Sequence, residues 1–125
     1  MQYMILIYGD EKNFAQMASN PEAQKQIYAA FTKYTKDMRD AGIMRAGSEL
    51  KPSSTATTVR VKNGKTVTTD GPFAETKEQL GGYNVLDVPS LDEALAIAAE
   101  HPLLRVGGHS IEVRPIRELP PRKIE

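Results

Sequence analysis

Asp70 and His109 are the side chains of this sequence that could move a proton. Asp70 closes a β-favouring run, Thr68-Thr69-Asp70, and precedes Gly71-Pro72. A carboxylate there can accept backbone N–H bonds from the turn it caps. Alternatively, if partly desolvated so that its pKa rises toward neutrality, it can serve as a general base. His109 follows Gly107-Gly108 and starts a strand from which it could reach a cleft, whereas His101, at the end of a helix, reads as a C-terminal cap where a cation is mildly favoured. The two histidines do not have metal-ligand spacing, and cysteine is absent, so the sequence calls for no metal, no thiolate nucleophile and no disulfide.

A ligand-binding set surrounds Asp70. Phe73 could wall a pocket or cross an interface. Glu75, Lys77 and Glu78 read either as a solvated, mutually neutralising cluster or as polar groups at a pocket mouth that orient a small polar ligand. Arg60, and Arg45 on the preceding short strand, could meet an anion or pair with an acid. Gly71 and Pro72 fix the backbone of this segment, and Gly81 and Gly82 close it as turn residues. There is no phosphate-binding glycine loop and no nucleophile elbow, and no cofactor is expected.

The elements that position these residues follow from periodicity. Met1 to Tyr8 is apolar on both alternating faces, Tyr3, Ile5 and Ile7 on one and Met4, Leu6 and Tyr8 on the other, as in a central strand. A polar link follows. Asn20-Pro21-Glu22 then supplies an N-cap, a proline at the first helical position and an acid in the first turn. The spacing of Ala23, Ile27, Ala30, Phe31, Tyr34, Met38 and Ala41 predicts a helix over 20–41, ended by Gly42. A short strand is expected at 43–46. Thr57 to Lys62 and Lys65 to Thr69 flank Asn63-Gly64, a strong hairpin signal. Tyr83 to Val88 predicts another strand, Ser90 with Glu93 a capping box and Leu91, Ala94, Leu95 and Ala98 a second helix. The last strand, about 110–117, contains Pro115 and should end or run along an edge there. Residues 118–125 read as a tail after a single domain, 1–117.

This order predicts an α+β domain of ferredoxin-like, split βαβ plan, with two helices on one face of an antiparallel sheet and an added hairpin. The uncovered sheet face predicts a homodimer packed sheet to sheet. At 125 residues the chain has the size of one domain. Sixteen basic residues balance sixteen acidic ones, which disfavours nucleic acid and anionic membranes as partners. The apolar start is too short to span a bilayer and lacks a basic flank, and a cysteine-free chain suits the cytoplasm.

The run Asp70-Gly71-Pro72-Phe73-Ala74-Glu75-Thr76-Lys77-Glu78 resembles the YCII-related family, in particular the branch called after its DGPF tetrapeptide. The upstream Ala56-Thr57-Thr58-Val59-Arg60, Gly81-Gly82-Tyr83 and the closing Ile111-Glu112-Val113-Arg114-Pro115 resemble that branch as well. The resemblance implies a dimeric α+β barrel of ferredoxin-like subunits. Relatives in the wider family have been proposed as enzymes on a histidine and an aspartate in a cleft. The first strand and the link after it contain no histidine, so that pair is not carried over. The resemblance leaves two functional expectations. In one, a small polar molecule binds in a pocket by the Asp70 to Glu78 loop, with Asp70 as acid or base. In the other, the chain is a non-enzymatic regulatory or interaction module, associated with an extracytoplasmic-function sigma factor.

Overall fold

The computed structural model describes residues 1–105 and 107–118, with the side chains of residues 14, 15 and 18 excepted. The tail expected from 118 lies, beyond Glu118, outside the described residues.

The first strand, β1 (Gln2–Gly9), buries Tyr3, Ile5 and Ile7 and leaves Met4, Leu6 and Tyr8 half-buried on the other face. It pairs on both sides, antiparallel to β5 (Gln79–Asp87) and to β6 (His109–Pro115), and is therefore central. The chain between β1 and the long helix is itself a helix, α1 (Glu11–Ala18), where the sequence suggested only a polar link. Asp10, which stops β1, is its N-cap and accepts from the Lys12 N–H at 3.0 Å. Helix α2 (Pro21–Asp40) begins as expected, with the Asn20 side chain accepting from the Ala23 N–H and Pro21 at the first position. It ends before Gly42, whose φ of 73° is the left-handed conformation that glycine adopts without strain.

Strand β2 (Met44–Glu49) starts one residue later and ends three residues later than expected and pairs with β5, giving the sheet order β2-β5-β1-β6 with every ladder antiparallel. Helix α3 (Leu91–Ala99) starts at Ser90, whose hydroxyl accepts from the Glu93 N–H. Met38 of α2 and Ala98 of α3 both join Ile5, Ile7 and Leu86 in one buried cluster, so the two helices cover the same face of the sheet. This is a ferredoxin-like α+β arrangement, with β6 at an edge and Pro115 at its last position. Of the expected α3 stripe, Ala94 and Ala98 are buried, but Leu91 and Leu95 are exposed, and Ile97 packs inward instead.

The hairpin forms as a separate two-stranded sheet, β3 (Thr57–Lys62) with β4 (Lys65–Asp70). Asn63 and Gly64 both take positive φ, 52° and 76°, as a type I′ turn demands. Val59, Val61 and Val67 are exposed along it.

Gly81 and Gly82 are not turn residues. They lie inside β5, where Ile7 pairs with Gly82 and Tyr8 with Leu80, so that Gly81 is the extra residue of a β-bulge. A Cβ on Gly82 would stand 3.0 Å from the Ser48 carbonyl oxygen, a close approach of β2 that explains the missing side chain.

Candidate functional site

The Asp70 segment is a surface loop. Asp70 is exposed at the end of β4, and its carboxylate makes no hydrogen bond or ion pair among the described residues. The turn is held by other groups: the Gly71 N–H donates to the Ala56 carbonyl at 2.7 Å, and the Thr58 hydroxyl donates to the Gly71 carbonyl at 2.8 Å. Gly71 takes a φ of 100° directly before Pro72, which only glycine tolerates easily. Phe73 is 80% exposed, its carbonyl 3.4 Å from the Arg60 guanidinium. Glu75 and Lys77 are exposed and form no ion pair with each other or with Glu78 among the described residues. Glu78 instead accepts from the Ser110 hydroxyl at 2.9 and 3.2 Å, tying the loop to β6. Arg45 bonds Asp87 at 3.4 Å.

His109 starts the last strand as expected, whereas His101 departs from the sequence reading. His101 is no cationic cap: it is 0% exposed, with its ring edge-on to Phe31 and Tyr34. Its Nδ1 accepts from the Leu103 N–H at 3.2 Å, and its Nε2 has no partner among the described residues. Burial, and to a smaller extent nearby His109, pushes its pKa down to about 4, so it is neutral at pH 7. Beside it, burial followed by the Glu100 charge pushes Tyr34 up to about 12, and the Tyr34 hydroxyl donates to the Ile97 carbonyl at 2.7 Å. His109 is half-buried at the start of β6, opposite Gly9.

A large concavity lies elsewhere. A cavity of about 710 Å³ opens between α2 and the β1-β5-β2 side of the sheet. Positions 27, 31, 35 and 39 of α2 recur every fourth residue and so form one wall. Ile27, Phe31, Met44 and Leu103 make the cavity mainly apolar. Polar side chains also line it, among them Asn84 on β5, Thr35 and Arg39 on α2, Glu11 at the start of α1, and Glu49 and Lys51 at and after the end of β2. Glu11 is half-buried and accepts from the Ser53 backbone N–H at 2.9 Å and from the Ser53 hydroxyl. Asp70, His109, Phe73, Glu75, Lys77, Glu78 and Arg60 are not among its lining residues; Gly81 and Gly82 are, through β5. No group of three or more metal-ligating side chains occurs among the described residues.

On the opposite face of the sheet, Met4, Leu6, Tyr83 and Val85 form a half-buried apolar patch on the two central strands. Among the described residues no helix is long and apolar enough to cross a membrane.

The family model for the YCII-related domain matches residues 1–120. The chain belongs to the YCII-related family. An uncharacterized protein of Rhizobium meliloti (strain 1021) is 36% identical to this YCII-related chain over 116 residues, covering 93% of the chain and 92% of the relative. The fold also matches a solved structure, 5-chloro-2-hydroxyhydroquinone dehydrochlorinase from Burkholderia phenoliruptrix in complex with 2,5-dihydroxybenzoquinone, with a TM-score of 0.55 over 94% of each chain. At 15% identity that similarity concerns the fold of the YCII-related chain and carries no residue roles with it.

Proposed function

We propose that this YCII-related chain is a small-molecule-binding domain whose site is the cavity between α2 and the sheet. The observation that carries the reading is the cavity itself: about 710 Å³, mainly apolar in surface, with polar side chains among its lining. Those are the size and lining of sites that enclose a ligand of one or two rings. A relative in fold, solved with a quinone bound, is consistent with such a role. If the chain is an enzyme, Glu11 is the carboxylate set to exchange a proton with the bound molecule, since of the two that line the cavity, Glu11 and Glu49, it is the one that Ser53 holds in place.

The test is a metabolite screen by thermal shift on three proteins. A ligand at a hundred times its dissociation constant stabilises the folded state by about 2.7 kcal/mol. Hits should raise the melting temperature of the wild type and of Asp70→Asn, and should vanish in folded Thr35→Phe, which fills the cavity. Hits that survive Thr35→Phe but are lost in Asp70→Asn would return the site to the Asp70 to Glu78 loop and overturn this reading.

We further propose that two copies meet through the Met4, Leu6, Tyr83 and Val85 face. On the same face of the adjoining edge strand, Glu112 and Arg114 are two residues apart, an arrangement that a two-fold axis can turn into reciprocal pairs. Light scattering after size exclusion should give twice the chain mass for the wild type and about the chain mass for Leu6→Arg. A wild-type protein of single mass would sink the dimer.

A further inference from the structure

We propose that Asn84 is the specificity-determining residue of the cavity. It selects an uncharged ligand that presents a hydrogen-bond donor and acceptor side by side, such as a carboxamide, a lactam or a hydroxy-carbonyl ring. The inference rests on the reading of the cavity as a binding site.

Asn84 stands in the middle of β5, opposite Ile5 on one neighbouring strand and Gly47 on the other. The alternation of the strand turns it, with Leu86, toward the helices, at a position where an aliphatic side chain would serve the core. It is 5% exposed and lines the cavity, yet its amide makes no hydrogen bond among the described residues. With no partner among the described residues, its donors and acceptor are left for a molecule that occupies the cavity. A second feature points the same way. A Cβ on Gly47 would stand 2.5 Å from the Asn84 Oδ1, so β2 leaves room for this amide by carrying no side chain beside it.

The chemistry of the ligand follows from the donors and charges present. The amide offers two N–H donors and one acceptor oxygen, and its complement is an acceptor next to a donor. The charged residues lining the cavity are Glu11 and Glu49 against Arg39 and Lys51, two of each sign, so no net field draws an ion into an apolar space. Glu11 is moreover already bonded to Ser53. Phe31, Met44 and Leu103 provide the apolar contact for the ligand body.

Three probes of one shape separate the alternatives: 2-naphthamide, 2-naphthoate and 2-methylnaphthalene. Binding to the ¹⁵N-labelled protein is followed by NMR titration, with the Asn84 side-chain amide signal assigned by its loss in Asn84→Leu. In the wild type, 2-naphthamide should bind most tightly and shift that signal. In Asn84→Leu its affinity should fall about tenfold, the scale of one well-made hydrogen bond, while 2-methylnaphthalene changes little. Gly47→Ala, which keeps the amide but displaces it, should weaken 2-naphthamide in the same direction. If 2-naphthamide binds equally to all three proteins, or if 2-naphthoate binds best, the role of Asn84 is overturned while the cavity stands. If no probe binds the wild type, the cavity reading falls, and this inference with it.

Discussion

Leu86→Ala is expected to lower the unfolding free energy by about 3 kcal/mol, within the range for truncating a buried leucine to alanine. In a domain of this size that is a fall of roughly 10 °C in melting temperature. Leu86 is 0% exposed on β5, with Tyr3 of β1 on one side and Met44 of β2 on the other, and it packs against Ile5, Ile7 and Met38. Three strands and α2 converge on it, so the layer cannot close over the lost methyls without moving a ladder. The reference substitution is Val61→Ala on the hairpin, where the side chain is exposed and the cost should stay below about 0.5 kcal/mol. Denaturant and thermal unfolding measure both. Similar small losses at the two positions would mean that the inner face of the sheet is not what holds the domain.

Acid should destabilise the protein through His101. Its folded pKa of about 4 lies below the ordinary 6.5 of the unfolded chain, so the unfolded state takes up the proton first as the pH falls. The stabilisation from the neutral ring is therefore complete above pH 6.5 and is lost progressively between 6.5 and about 4. Over that window it amounts to about 3 kcal/mol. The cause is desolvation first and the proximity of His109 second, and the neighbouring rings of Phe31 and Tyr34 offer no counter-charge. Carboxylates titrate in part of the same range, so the contrast with His101→Phe isolates the effect. The variant loses the bond from the Leu103 N–H but should show a visibly flatter decline of stability from pH 7 to 4. Equal slopes for the two proteins would show that His101 charges without penalty, contrary to its burial.

Much of the architecture could be read from short-range signals. The two-sided apolar run of β1, the Asn20-Pro21 start of α2, the Asn63-Gly64 turn and the Ser90 cap are local chemistry, and each appears at the expected place. Helix α1 was missed because Asp10 ends a strand and caps a helix at once, and only the first of those roles shows when the helix is just eight residues long. The Gly81-Gly82 pair misled for a related reason: glycine marks a bulge inside a strand as readily as a turn between strands, and only the pairing with β1 and β2 distinguishes them.

The cavity was harder to foresee. It arises where α2 crosses β5 and β2, and Glu11 joins it through Ser53, forty-two residues away. No sequence spacing encodes such a meeting. Asn84 did leave a trace, since a polar residue falls in register with Leu86 and Val88 on the inward side of a central strand. Asp70, by contrast, drew attention through a specific motif, and the turn it precedes is closed by backbone and threonine groups while its own carboxylate faces outward.

The β3–β4 hairpin is a two-stranded sheet apart from the four-stranded one, and it is expected to open as a unit of its own. All four strands of the main sheet are supplied by residues outside 57–70, and the Leu50 N–H already donates to the Gly81 carbonyl at 2.8 Å, bridging the chain on either side of the arm. The arm can therefore open, exchange its amide hydrogens and reclose without a strand of the body being broken. In the same way, its length and tip are free to change in evolution or by design, as an appendage grafted onto a four-stranded frame that does not depend on it.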